Sequence, residues 1–168
     1  MDRVLEIMKD AAFSPIKDPV ISMGGLIGGE ARKLCEFHDL GKSLCGNVLG
    51  KGITYAMATL ETNASMGLIV ASPTAGSAGI VPGMMLALQE VYGFSDKKIR
   101  QALFNAGAIG YLAMRNATVA GAVGGCQAEV GIASAMAASA AVELLGGTPL
   151  QCTYAASTVL MNICLLYT

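Results

Sequence analysis

The chain has 168 residues, of which 54% are hydrophobic and 14% are charged, and its formal net charge at pH 7 is −1. This composition excludes an intrinsically disordered segment, and a near-neutral chain without a basic run has no electrostatic reason to bind nucleic acid. Because the charged share lies well below the usual value of about 25%, we expect another subunit to cover part of the surface and predict an oligomer or a companion chain.

Targeting signals are not evident. The segment Met1–Pro15 carries five charged side chains, which is unlike a secretory signal. The chain has five cysteines and no Cys-x-x-Cys pair, unlike a disulfide framework or a zinc site. We therefore expect a single domain over residues 1–168 in a reducing cytoplasm.

Two stretches without charge, residues 62–89 and 144–168, exceed the roughly 20 residues that span a bilayer. The first contains Pro73 and Pro82, and the second carries several hydroxyl and amide side chains. Such polar groups are costly in lipid, so we expect buried helices of a tightly packed protein and no membrane insertion.

The first half of the chain has helical hydrophobic spacing. Residues 4–8 predict a short helix that ends before Pro15, and a glycine-rich turn then leads into a helix through about Phe37. Ser43 is the predicted cap of a helix over residues 44–63.

The second half is also helical. One helix is predicted to start near Ile80 and another at the cap Ser95. A third covers residues 127–145 and stops at Gly146-Gly147, and Thr148-Pro149 provides a cap and a first-turn proline for the last helix. The buried face of the helix after Ser95 is predicted to consist of Ile99, Ala102, Leu103, Ala106 and Ile109.

These helices are rich in small residues. Residues 133–141 are alanine and serine with a single methionine, so neighbouring backbones can approach this helix closely on most sides. The helical spacing of hydrophobic residues predicts an all-α fold, and the small residues predict a compact bundle of small-residue-rich helices with a central buried helix.

The first candidate site is the segment Ser72–Gly79, hereafter the Ser72–Gly79 loop, which reads Ser-Pro-Thr-Ala-Gly-Ser-Ala-Gly. Its glycines allow close approach to the backbone, and its hydroxyls lie beside the free amides of a helix start, an arrangement that suits a carboxylate or a phosphate. The sequence is not a P-loop, because no Gly-Lys-Ser/Thr follows. The structural alternative is a plain turn followed by a capped helix.

The second candidate is Gly124–Gly131, in which Cys126 follows two glycines where a helix begins. A helix dipole favours the thiolate form, and thiolates bind metals. Glu129 lies one turn further along and is a candidate acid or base. The alternative is that Cys126 is a small buried hydrophobic residue.

The other cysteines and the single histidine are predicted to have structural roles. Four cysteines lie in apolar stretches and are expected to pack in the core: Cys35, Cys45, Cys152 and Cys164. His38 lies at a predicted helix end, where a cationic ring gains from the dipole. We assign it a solvated structural role.

Several motifs in one order strongly resemble the alpha-chain domain of iron–sulfur-dependent L-serine dehydratase, also called L-serine ammonia-lyase. The resemblance covers most of the chain. It rests on Ser22-Met23-Gly24-Gly25, Asn63-Ala64-Ser65-Met66-Gly67, the Ser72–Gly79 loop, Gly-Gly-Cys-Gln-Ala-Glu-Val-Gly and Gly146-Gly147-Thr148-Pro149.

The resemblance implies a bacterial lyase that converts L-serine to pyruvate and ammonia with a β chain or β domain. It also implies a [4Fe–4S] cluster with three cysteine ligands and one open iron, and no pyridoxal phosphate. Cys126 matches the family's first cluster ligand, and Glu129 is a candidate for the base. The residues that match the expected substrate pocket are Ser72, Thr74, Gly76, Ser77 and Gly79.

The sequence departs from the family pattern at its end, which reads Asn-Ile-Cys-Leu-Leu-Tyr-Thr over residues 162–168. Family members continue into a Cys-Asp-Pro-Val segment and a further cysteine that supply the later ligands. Three explanations stay open: truncation, a missing part on another polypeptide, or recruitment of Cys152 and Cys164. The third is weakest, since 12 helical residues separate those sulfurs by about 18 Å.

We accordingly expect the chain to hold no stable cluster alone. Two other functions stay open at this point. One is a related cluster-dependent lyase that acts on L-cysteine or L-threonine, and the other is a truncated, non-catalytic helical subunit.

Overall fold

The computed structural model describes residues 1–163, which form seven helices and contain no β-strand. This confirms the predicted all-α fold. Cys164 lies outside the described residues. The helices are α1 (Asp2–Lys17), α2 (Glu30–Asp39), α3 (Asn47–Ala64), α4 (Ile80–Tyr92), α5 (Asp96–Asn116), α6 (Gly121–Leu144) and α7 (Pro149–Ile163).

The core is built around α4 and α6. Most of α6 between Gly131 and Ala140 is buried, and α6 packs against α4, α5 and α7. On α4, Met85 and Leu86 are fully enclosed. The prediction of a central helix made of small residues is therefore confirmed.

Helices α3 and α4 cross at very short range. A Cβ atom on Gly83 would lie 2.7 Å from the carbonyl oxygen of Gly52, and one on Gly79 would lie 2.5 Å from that of Ala56. No side chain fits at either glycine, because the obstacle is backbone. This crossing fixes where the Ser72–Gly79 loop enters α4.

The predicted end of the first helix is wrong, because α1 continues through Pro15 to Lys17. A proline inside a helix leaves the carbonyl four residues earlier without its N–H donor. That carbonyl belongs to Ala11, and the Thr62 hydroxyl donates to it at 2.8 Å. A side chain from α3 thus replaces the missing bond.

The predicted start of α3 is also wrong. The helix begins at Asn47 with Gly46 at the N-cap position, and no side chain caps it. Ser43 instead accepts a hydrogen bond from the Cys45 backbone at 3.2 Å. This local turn occupies the hydroxyl, which leaves Cys45 in the loop before the helix.

Two predicted caps are confirmed. Ser95 accepts from the Lys98 N–H at 3.5 Å at the start of α5. At the start of α7, the hydroxyl of Thr148 accepts from the Gln151 N–H at 3.3 Å, and the Gln151 side chain accepts from the Thr148 N–H at 2.8 Å. This reciprocal pair is a capping box.

The uncharged stretches do not form spanning segments in the described part of the chain. Residues 62–89 are divided among the end of α3, the loop and α4. Within residues 1–163, no helix is long and apolar enough to cross a bilayer.

Candidate functional site

The Ser72–Gly79 loop is held together by its own hydroxyls. The Thr74 and Ser77 hydroxyl oxygens lie 3.2 Å apart, and the Ser77 hydroxyl also donates to the Ser72 carbonyl at 3.4 Å. Gly76 is exposed, whereas Gly79 is buried against α3. The loop therefore presents its middle to solvent and anchors its end in the core.

Ser72 is the one hydroxyl of this loop that finds no partner. The residue is 5% exposed, and its side-chain oxygen is buried without a hydrogen-bond partner among the described residues. A buried polar group without a partner costs about 1–3 kcal/mol. A ligand atom that reached this oxygen would remove that penalty.

Cys126 lies at a break in α6. Gly125 has φ 74° and ψ 169° between two helical segments, a conformation that essentially only glycine adopts. The longer segment therefore starts at Cys126, one residue before the predicted start, after a single turn over residues 121–124. Cys126 is exposed, so the alternative of a buried hydrophobic residue is wrong.

Glu129 connects the two motifs. Its carboxylate accepts a hydrogen bond from the Gly121 N–H at 3.3 Å. On the other side, a Cβ atom on Gly76 would lie 3.0 Å from Oε2 of the same carboxylate. Because Cys126 precedes Glu129 by three helical residues, their side chains are neighbours on the helix surface. The loop, the carboxylate and the thiol thus share one region.

The remaining cysteines differ from the prediction of core packing. Cys152 is buried, as predicted, but Cys35 and Cys45 are only partly buried. Burial, together with the nearby Asp39 carboxylate, raises the pKa of the Cys35 thiol. A raised pKa disfavours the thiolate that metal binding requires.

His38 is placed as predicted in the last turn of α2, but it is not solvated on all sides. Its Nδ1 atom is buried without a hydrogen-bond partner among the described residues. The ring packs against α3 at Gly50, where a side chain would collide with it. The physical reason is the missing side chain at Gly50, which leaves room for the ring.

Asn63 was identified from the sequence only as part of a family motif, with no role assigned; its side-chain amide donates to the Ala75 carbonyl of the loop at 3.0 Å. The signal for this role was the run of polar residues at the end of α3, which is unusual in so apolar a chain. Sequence analysis missed Gly121, because nothing local identifies the acceptor of a backbone N–H.

The described residues fit one cluster ligand and not a complete set. Exposed Cys126 at a helix start suits a thiolate ligand. Within residues 1–163, no group of three His, Cys, Asp or Glu side chains could hold a metal ion.

Comparison with known proteins gives the family. The sequence matches the family described as serine dehydratase alpha chain over residues 1–164. It is 47% identical over 163 residues to the probable L-serine dehydratase, alpha chain, of Bacillus subtilis (strain 168), covering 97% of this chain and 54% of the relative. It is 44% identical over 163 residues to the L-serine dehydratase, alpha chain, of Peptoniphilus asaccharolyticus, covering 97% of this chain and 56% of the relative.

A more distant relative is the L-serine dehydratase TdcG of Escherichia coli (strain K12), 42% identical over 103 residues, which are 61% of this chain and 23% of that protein. No solved structure matches the chain significantly. The chain spans about half the length of the alpha chains it matches. With a match that extends over nearly all of its residues, the chain belongs to the serine dehydratase alpha chain family.

Proposed function

We propose that this chain forms the catalytic part of an L-serine dehydratase, which eliminates water from L-serine and releases pyruvate and ammonia. The observation that carries the proposal is the Glu129 carboxylate, which lies between Gly76 of the loop and Gly121 beside the Cys126 helix. In this proposal, the loop acts as the substrate anchor and Glu129 as the base, and both lie in one region with the Cys126 thiol. Family membership provides independent support.

The Ser72–Gly79 loop binds the substrate carboxylate in this proposal. Backbone amides at a helix start and nearby hydroxyls favour an anion. The residues assigned to this role are Ser72, Thr74, Gly76, Ser77 and Gly79. Ser72 has the clearest support, because its buried hydroxyl has no hydrogen-bond partner among residues 1–163.

Glu129 is proposed as the general base. It would accept the Cα proton of L-serine as the β-hydroxyl leaves, and it would return that proton to the departing hydroxide, so that water and 2-aminoacrylate result. Hydrolysis of the tautomeric imine then gives pyruvate and ammonia. The half-buried carboxylate has one oxygen on the Gly121 N–H and the other directed towards exposed Gly76, so the second oxygen is available for a proton.

Cys126 is proposed as one thiolate ligand of a [4Fe–4S] cluster, with no role for pyridoxal phosphate. When bound, such a cluster supplies an open iron that acts as a Lewis acid on the leaving hydroxyl. The contribution of this chain is an exposed thiol at a helix start, next to the proposed base.

A β chain or β domain is the proposed partner, as the designation "alpha chain" in the relatives suggests, and we propose an oligomer in the cytoplasm. The exposed apolar side of α3 formed by Leu49, Ile53 and Met57 favours a surface that a partner chain covers. These residues recur every four positions and are 53%, 41% and 37% exposed. The α3 side borders an apolar groove of about 380 Å³.

The test uses the chain joined to the remaining part of a related alpha chain, because residues 1–163 contain no group of three side chains that could hold a metal ion. This protein is reconstituted anaerobically with iron, sulfide and a serine dehydratase β chain, and the pyruvate released from L-serine, L-threonine and L-cysteine is measured. We expect L-serine to be the preferred substrate. Cys126→Ser should lower turnover by at least about 100-fold, since an unsupported cluster loses its Lewis acid. Cys45→Ser, which changes a partly buried thiol in the loop before α3, is the matched control and should leave turnover unchanged.

Full activity of Cys126→Ser would contradict the proposed ligand. Preference for L-cysteine or L-threonine would favour the related lyase. If the wild-type protein that carries the remaining part of the alpha chain stays inactive in the presence of the β chain, the non-catalytic subunit is favoured.

A further inference from the structure

The end of α3 is joined to four separate parts of the chain by side-chain hydrogen bonds. Within the five residues Glu61–Ser65, hereafter the Glu61–Ser65 segment, every side chain except that of Ala64 bonds to a distant backbone group. The bonds are Gly29 N–H to Glu61 (3.2 Å), Ala31 N–H to Glu61 (2.7 Å), Thr62 to the Ala11 carbonyl (2.8 Å), Asn63 to the Ala75 carbonyl (3.0 Å) and Ser65 to the Val20 carbonyl (3.2 Å).

Glu61 shows that these contacts are built into the core. It is 2% exposed, and within the described residues it forms no ion pair. A buried carboxylate is costly unless it is hydrogen-bonded. The two N–H groups at the start of α2 meet that need, and the positive end of that helix favours the charge. The carboxylate thus fixes the junction of the 18–29 loop and α2.

Asn63 and Ala56 together hold the Ser72–Gly79 loop against α3. The loop end is pressed onto the Ala56 carbonyl, where Gly79 has no room for a side chain. The loop middle is held at Ala75 by Asn63. Positions 56 and 63 are seven residues apart, which places them on one helix face about 10 Å apart. The loop therefore lies along α3 with two fixed points.

Ser65 and Glu61 hold the other loop in the same way. Ser65 donates to Val20 near its beginning, and Glu61 accepts from Gly29 at its end. Between these points lies the Ser22–Gly25 motif. Two sequence motifs that had no assigned role are therefore connected. Ser22–Gly25 lies in the loop that is held, and Asn63–Gly67 contains Ser65, which holds it.

We propose that the Glu61–Ser65 segment positions both loops, and that Asn63 is the positioning residue of the Ser72–Gly79 loop. The identity of the bound substrate rests on the proposed function, whereas the positioning itself does not. Asn63 touches no reacting atom in this proposal. It acts through Ala75 by fixing where the loop hydroxyls and amides lie.

The experiment is hydrogen exchange of the full chain, measured by mass spectrometry on peptides that cover residues 18–29 and 72–79. Asn63→Asp keeps the shape of the side chain but loses the donor, and we expect about three- to tenfold faster exchange in 72–79, as for loss of one hydrogen bond. Exchange in 18–29 should stay unchanged. Asn63→Ala serves as a second variant, because a charge near a helix C-terminus can itself perturb the helix.

Ser65→Ala is the matched control on the same segment. It removes the bond to Val20, so exchange should rise in 18–29 and not in 72–79. The proposal is overturned if neither Asn63 variant accelerates exchange in 72–79, or if Ser65→Ala accelerates it equally, since the segment would then act only on overall stability.

Turnover separates this proposal from the proposed function. In the reconstituted enzyme, Asn63→Asp should raise the KM for L-serine about tenfold with a smaller effect on kcat, as expected for a misplaced anchor. If the exchange pattern appears and the wild-type enzyme does not act on L-serine, the positioning stands and the proposed function fails.

Discussion

Glu129 is confined by two glycines that belong to different segments. A Cβ atom on Gly76 would lie 3.0 Å from Oε2, and one on Gly121 would lie 2.9 Å from Cδ. The obstacle in each case is the end of a flexible side chain, which can move by a few tenths of an ångström. The glycines therefore determine the position of the carboxylate more than the stability of the fold.

With Glu129 as the proposed base, Gly76→Ala should lower turnover of L-serine about tenfold or more, because a small displacement of such a group is costly. The melting temperature should change little, since only the carboxylate has to move. Both quantities can be measured on the reconstituted enzyme and on the chain alone.

The control is the same substitution in a Glu129→Ala background. Without the carboxylate, Gly76→Ala has nothing to displace and should have no further effect on turnover. Additive losses in the double variant would mean that Gly76 acts independently of Glu129.

At this scale, sequence analysis identified features whose cause is local. Two glycines before a cysteine indicated a helix start, and the break at Gly125 with exposed Cys126 agrees with that interpretation. The contacts of Glu129 were not predictable. They join residues far apart in the chain, and no local pattern gives the distance between them.

The close crossing of α3 and α4 decides the stability of the element that carries the loop. At Gly83, a Cβ atom would lie 2.7 Å from the Gly52 carbonyl oxygen and 3.1 Å from the Ala56 nitrogen. Gly83→Ala should lower the free energy of unfolding by about 1–3 kcal/mol, because backbone cannot yield as a side-chain tip can.

Gly107 on α5 provides the opposite case. It is a helical glycine, and a Cβ atom added there would meet no side chain or distant backbone of the described residues within 4 Å. Gly107→Ala should raise the free energy of unfolding by about 0.5–1 kcal/mol through helix propensity. Urea unfolding measures the change in the free energy of unfolding for both variants. If Gly83→Ala stabilised the protein as Gly107→Ala does, the close crossing of α3 and α4 would be contradicted.

Element boundaries were predictable where the stop or start signal is local. The caps at Ser95 and Thr148 are short-range bonds and were predicted correctly. The end of α1 was not, because the Thr62 hydroxyl from another helix satisfies the carbonyl that Pro15 leaves free. Tertiary contact overrides the local signal there.

For the molecule as a whole, the helical spacing of hydrophobic residues indicated the all-α class, and the small residues indicated close helix packing. Neither pattern indicated the arrangement, which depends on contacts between distant elements. In the described part of the chain, three ion pairs connect different helices: Lys9–Asp96 at 2.7 Å, Lys51–Glu90 at 2.7 Å and Arg100–Asp2 at 3.1 Å. Two of them join α1 to α5, and the third joins α3 to α4.

The α3–α4 pair makes stability depend on pH. Burial acts to raise the pKa of Glu90, but hydrogen bonds from Lys51 and Tyr55 outweigh it, so the pKa lies below its ordinary value of 4.5. Burial and the neighbouring Glu90 carboxylate raise the pKa of Tyr55, which keeps its hydroxyl a donor. Because the folded form holds Glu90 charged to lower pH than the unfolded form does, this contribution is present at neutral pH and is lost as pH falls through the folded pKa.

Glu90→Gln should therefore lower the free energy of unfolding at pH 7 by about 0.5–1 kcal/mol, a small value because the Glu90 side chain is 48% exposed. The difference from wild type should shrink between about pH 5 and pH 3, where the wild-type carboxylate becomes protonated. Urea unfolding at several pH values measures it. Glu6→Gln alters an exposed pair with Arg3 on one helix and should give almost no difference at any pH. If the Glu90→Gln difference stays constant down to pH 3, the charge of Glu90 does not stabilise the α3–α4 junction, and only the shape of its side chain matters there.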